Sequence, residues 1–242
     1  MYARDIFTGI SGWTANNYSA PTGMFGGSPN FQASALFMPT YGGPPPSVGS
    51  FQQVWGNLDA AAFKGWSIGI NAAGLIIAQY GTGAALVSVT FDPRGRLLRR
   101  WCLATLAVGN GGADIALWVN GNLEAANTGG AALVANTAAA VVGGSTVALD
   151  DPFTGLVAGV SYAQGLGVDP YALATDVART GQLSLLDTSS ALPTLPDNCW
   201  QVPFFNVDAG PTWEPALGTT ALTRNGQGNS LVTQNAPSNA WL

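Results

Sequence analysis

Glycine or proline interrupts this chain every few residues, which limits what it can fold into more than any other feature. The 32 Gly and 15 Pro are scattered rather than blocked, the pattern of many short strands joined by tight turns. Between them the apolar residues tend to alternate. Gly65–Asn71 sets Trp66, Ile68 and Ile70 on one face against Ser67, Gly69 and Asn71 on the other, the period of a half-buried strand. Helix signals are scarce. The Ala-rich pieces Asp59–Phe63 and Thr137–Val141 are too short to hold as helices and are followed closely by Gly.

Read along the chain, Phe31–Met38 is a strand closed by Pro39. Residues 41–50 (YGGPPPSVGS) form a loop, because three consecutive prolines remove three amide donors from any ladder. Gln52–Asn57 is a strand, Gly65–Asn71 and Leu75–Tyr80 make a hairpin, and Ala85–Phe91 ends at the turn Asp92-Pro93-Arg94-Gly95. Trp101–Val108, Asp114–Val119 and Asn122–Ala126 follow. The last two join through Asn120-Gly121, which offers the two successive φ > 0 positions of a type I′ turn. Phe153–Tyr162 is a further strand. Tyr171–Arg179 is the best short-helix candidate, with Asp169 at the cap and Pro170 at the first helical position. Residues 186–198 form a Ser/Thr/Pro-rich connector, and 199–242, too short for a core of their own, are read as more strands. The expected architecture is all-β, an antiparallel β-sandwich of jelly-roll type. Residues 1–30 are expected to be an irregular N-terminal arm with a single strand at most, and 31–242 one sandwich domain.

Hydrophobic residues make up 47% of the chain and charged residues 9%, so a core can form but the surface is poor in charge. Such a surface suits a protein packed against neighbours better than a free cytosolic monomer. Net charge is −5, Lys64 is the only lysine, and four of the arginines (Arg94, Arg96, Arg99, Arg100) share one stretch. A nucleic acid partner needs a basic stripe, which this balance does not supply. The N-terminus lacks the basic and apolar regions of a signal peptide, and no window approaches the length of a membrane span. Cys102 and Cys199 are too few for a disulfide framework and are expected to be buried thiols.

Five segments in order resemble laminin-G-like and other concanavalin A-like lectin–glucanase modules. They are the opening strand Phe31–Met38, the hairpin Gly65–Leu75, the strand Trp101–Val108, the hairpin Leu117-Trp118-Val119-Asn120-Gly121-Asn122-Leu123, and Phe153–Tyr162 with Leu166–Ala172. They cover about residues 31–180, with no motif-level support outside. The resemblance implies a lectin-like sandwich, calcium bound at the rim in many modules, and glycans as ligands. Cys102 and Leu103 stand where such modules often carry histidine, and this chain has no histidine.

That lack removes Ser-His-Asp and Cys-His catalysis and histidine metal centres. Glycosidases of this fold carry a carboxylate pattern resembling E-x-D-x-x-E. Here the two glutamates, Glu124 and Glu214, have no acid two or three residues away, and retaining chemistry needs two carboxyl groups about 5 Å apart. The chain is therefore expected not to be an enzyme. For calcium, the best candidates are Asp150 and Asp151, although a simple turn before Pro152 is the favoured reading of that pair; Asp114 is weaker. For glycan stacking or a subunit interface, Trp13, Tyr18 and Tyr41 lie in loop-like surroundings, whereas Trp66, Trp101 and Trp118 lie on strands and are expected in the core.

Two functions follow as expectations. One is a non-catalytic virion component (capsid decoration, head-fibre or tail protein of a bacteriophage), made in the host cytoplasm, homo-oligomeric or packed on other virion proteins, and able to attach to surface glycans. The other is a carbohydrate-binding laminin-G-like module of a cellular or secreted protein, with or without calcium.

Overall fold

The computed structural model describes residues 2–6, 17–20, 22–23, 25, 29–39, 51–94, 96–97, 99–144, 153, 155–165, 169–180, 199–203, 212–213, 222–225 and 231–233. The described strands form two antiparallel sheets. The first runs in the order β10 (Asn122–Asn127), β9 (Asp114–Val119), β8 (Cys102–Gly109), β3 (Phe31–Pro39), β12 (Gly155–Gln164), β1 (Tyr2–Ile6) and β16 (Leu231–Thr233). The strand β13 (Cys199–Pro203) also pairs with β12, further along it. The second sheet runs β14 (Thr212–Trp213), β15 (Leu222–Asn225), β2 (Asn17–Ser19), β11 (Val141–Val142), β4 (Phe51–Gly56), β5 (Trp66–Asn71), β6 (Ile76–Gly81) and β7 (Leu86–Phe91). Both chain ends enter both sheets. Residues 1–30 give one strand to each, where a single strand at most was expected, and the last stretch gives two to each. These short strands take their stability from ladder partners distant in sequence, so local pattern does not reveal them.

The core lies between the sheets. Phe31, Ala33, Ala35 and Phe37 of β3, with Ala104 and Leu106 of β8 and Leu117 of β9, face Trp66 and Ile68 of β5 and Ala78 and Tyr80 of β6. Aromatic rings from the two sheets meet one another here, close-packed across the sandwich. Trp66 meets Phe31 at 5.3 Å, Tyr162 at 5.7 Å and Trp55 at 5.5 Å between ring centroids. Its indole N–H donates to the Phe25 carbonyl (2.9 Å), as a buried ring N–H must find an acceptor. Each large apolar side chain removed from water here contributes about 1.5–3 kcal/mol.

β3 is buried on both faces, so the first sheet has a covered outer side. There Ser34 and Thr105 hydroxyls pair at 2.9 Å. Over this side lies α1 (Pro170–Thr180), which turns Leu173, Asp176 and Val177 inward. The Asp169 carboxylate accepts the Tyr171 N–H (3.1 Å) at the cap expected for it. No described helix is long and apolar enough to cross a membrane.

Cys102 is buried and free. It stands opposite Phe37, which stands opposite Val157 on β12, whereas Cys199 pairs with Ala163. Six residues of strand, roughly 20 Å, therefore separate the two cysteines along the sheet. That is beyond the reach of a disulfide.

Candidate functional site

Asp114–Val119 places Ile115, Leu117 and Val119 in the core, so Trp118 must point to the opposite, outer face. It does, and it is partly exposed there. This corrects the expectation that Trp118 is a core residue. Trp66 and Trp101 are buried as expected. The alternation of DIALWV already required the outward placement, and an apolar residue type was given more weight than its position.

Register arranges the outer face in rows. Ala126, Ala116, Ala107 and Gln32 align across β10, β9, β8 and β3, and Leu123, Trp118, Thr105 and Ser34 form the next row. Paired residues on adjacent strands share a face. A row of alanines beside a row carrying tryptophan leaves a trough with an aromatic wall. The resulting groove has a volume of about 390 Å³ and is lined by Trp118, Ala116, Ala107, Gln32, Asp114 and Asp169, among others. Both carboxylates are held by backbone N–H groups. Asp114 Oδ1 accepts from Gly129 (2.7 Å), fixing the loop after β10, and Asp169 caps α1. Beneath the loop, the Tyr80 hydroxyl donates to the Ala131 carbonyl (3.1 Å). Its pKa is pushed above the ordinary tyrosine value by burial first and by the Asp114 charge second.

A second groove, also about 390 Å³, lies between the β9–β10 turn and α1, lined by Leu103, Asn120, Asn122, Tyr171, Thr175 and neighbouring alanines. The turn has the φ > 0 pair expected of Asn120 and Gly121 (50° and 85°). Tyr171 is 65% exposed and Leu123 52%, so both present apolar surface around these grooves.

Of the residues expected to bind, Tyr18 lies on β2, opposite Val142 and Arg224. Trp13, Tyr41, Asp150 and Asp151 lie outside the described residues. Among the described residues, no group of three or more Cys, Asp or Glu comes together as metal ligands, and the Asp114 carboxylate is engaged by the Gly129 amide.

The same architecture occurs in solved structures. A Bacteroides ovatus protein, provisionally described as carbohydrate binding, superposes over 98% of this chain with TM-score 0.61 and 16% identity. The fold is an antiparallel β-sandwich of jelly-roll type. This jelly roll spans 60% of the length of the B. ovatus protein. The heptameric SAP-like pentraxin of Limulus polyphemus matches 83% of the chain, over 93% of its own, with TM-score 0.50 and 9% identity. Mouse laminin α1 domains LG4-5 match 67% of the chain and 40% of their own length at 17% identity, with a TM-score of 0.46, too loose to bear on function. At these identities the likeness establishes the fold alone. No family model matches the sequence, and no curated protein sequence is similar to it.

Proposed function

We propose that this jelly roll binds carbohydrate without catalysing a reaction, holding a sugar ring against Trp118 in the outer-face groove. The observation that carries this is a partly exposed tryptophan set beside an alanine floor and flanked by the acceptors Asp114, Asp169 and Gln32. A sugar offers an apolar ring face and a fringe of hydroxyl donors, and sites for such ligands combine an aromatic surface with a few placed polar groups. The carbohydrate-binding description of the B. ovatus protein, which shares the fold, supports the same reading. Both groove carboxylates are already committed to backbone amides, a positioning role rather than acid–base work.

A module of this kind works outside a cell or on a particle. The charge-poor composition supports a virion component. Trp13, Tyr18 and Tyr41 remain candidate contacts to glycan or neighbour, and Asp150 and Asp151 candidate calcium ligands before β12. Calorimetric titration of the chain and its Trp118→Ala variant with a panel of soluble oligosaccharides, with and without EDTA, tests the proposal. We expect at least one saccharide to bind the parent and lose its heat signal in the variant. A folded parent that binds none, or a variant that binds equally well, overturns it.

A further inference from the structure

The two grooves sit on one face, bordered by consecutive residues of α1. Along β9, Ala116 floors the first and Asn120 borders the second, with Trp118 midway between them. Four residues of extended strand span about 13 Å, further than one pyranose ring reaches. The first turn of α1 runs past both, Pro170 bordering the first groove and the exposed Tyr171 the second. The close approach of Gly121 to Tyr171 and Ala174 fixes that turn against the hairpin.

The polar groups of the two grooves differ from those an anion would need. The first groove presents the carboxylates of Asp114 and Asp169 with Gln32 and Thr128. Among the described residues, the second presents only neutral polar groups, Asn120, Asn122 and Thr175. No lysine or arginine is among the described residues lining either one. Carboxylates are acceptors only, matched to hydroxyl donors. In the first groove a ligand carboxylate or sulfate would meet like charge, with no cation among the described lining residues to answer it, which is how a site excludes the wrong partner.

Resting on the carbohydrate-binding reading above, we infer that the ligand is an uncharged oligosaccharide lying along β9. One ring stacks on Trp118 and another reaches Tyr171, and acidic glycans are rejected. Trp118 anchors the chain, and Tyr171 adds affinity only for ligands long enough to cross into the second groove.

The test is calorimetric titration of neutral gluco-, manno- and xylo-oligosaccharides of increasing length, alongside sialyllactose and oligogalacturonates. It uses the parent, Trp118→Ala and Tyr171→Ala, each checked for folding by circular dichroism. Affinity should rise about tenfold or more from the monosaccharide to the longer neutral ligands, and acidic ligands of equal length should bind at least about tenfold more weakly. Tyr171→Ala should erase the gain with length while leaving monosaccharide binding intact, and Trp118→Ala should remove both. Equal or tighter binding of acidic glycans, or affinity independent of length, overturns the inference while leaving carbohydrate binding in place. If the folded parent binds no saccharide of either kind, the carbohydrate-binding reading falls and takes this inference with it.

Discussion

Gly121, at the tip of the β9–β10 turn, lies so close to Ala174 of α1 that a Cβ at position 121 would stand 2.8 Å from the alanine's own Cβ. The same glycine has φ +85°, a conformation L side chains rarely adopt. Turn geometry and helix docking thus require glycine at one position. Gly121→Ala should cost roughly 1–3 kcal/mol, from backbone strain and overpacking together. Adding Ala174→Gly should relieve the clash with that Cβ and leave the strain, at a cost of about 0.5–1 kcal/mol for a glycine inside α1. Urea denaturation of both variants and of Ala174→Gly alone separates these shares. A Gly121→Ala variant as stable as the parent would mean the helix does not sit against this turn.

Asn57 is buried, and three of its side-chain hydrogen bonds hold loops to the sandwich. Its Nδ2 donates to the carbonyls of Phe25 (2.9 Å) and Asn136 (3.1 Å), and its Oδ1 accepts the Trp66 N–H (3.2 Å). Asn57→Ala takes a partner from the Asn136 carbonyl and the Trp66 amide away from water, while the Phe25 carbonyl keeps the Trp66 indole N–H. The expected loss is roughly 2–4 kcal/mol in urea denaturation. Trp118→Ala, on a partly exposed face, should lose far less, within about 1 kcal/mol.

Tyr80 gives the fold an alkaline limit. Its pKa is raised from 10.0 by burial, with Asp114 adding to it. Above pH 10 the unfolded chain has released this proton and the folded chain has not, so the native state binds more protons and stability falls with pH. The contribution is complete below pH 10 and disappears as pH rises through the folded value. Tyr80→Phe should lose about 1 kcal/mol at neutral pH with its hydrogen bond to Ala131. It should also show a shallower stability loss above pH 10 than the parent, measured by urea midpoints across that range.

Burial pushes the Cys102 thiol well above its ordinary pKa, and the thiolate is the reactive form. In a Cys199→Ser variant, Cys102 should resist a thiol reagent in buffer and react fully in denaturant. Rapid labelling of the native variant would contradict the burial of β8.

The antiparallel sandwich was legible because its central strands carry their own signals. Phe31–Met38, Gly65–Asn71 and Asp114–Val119 alternate, and Asn120-Gly121 and Asp169-Pro170 announce a turn and a helix start through local chemistry. β1, β2 and β11 were not legible, since strands of two to five residues are specified by partners far along the chain. The candidate site was hidden for a different reason. Ala107, Ala116 and Ala126 mean nothing separately, and become a trough only when register aligns them beside Trp118. The outward direction of Trp118 was readable from Ile115, Leu117 and Val119 alone. What register adds is its neighbours.

The most direct test of the account follows the indole N–H resonances in a ¹⁵N–¹H spectrum as a neutral oligosaccharide is added. The Trp118 signal, assigned by its loss in Trp118→Ala, should shift and saturate with ligand, while those of buried Trp55, Trp66 and Trp101 stay in place. Saturable binding that leaves the Trp118 resonance unmoved would contradict the central claim that this outer-face groove holds the sugar.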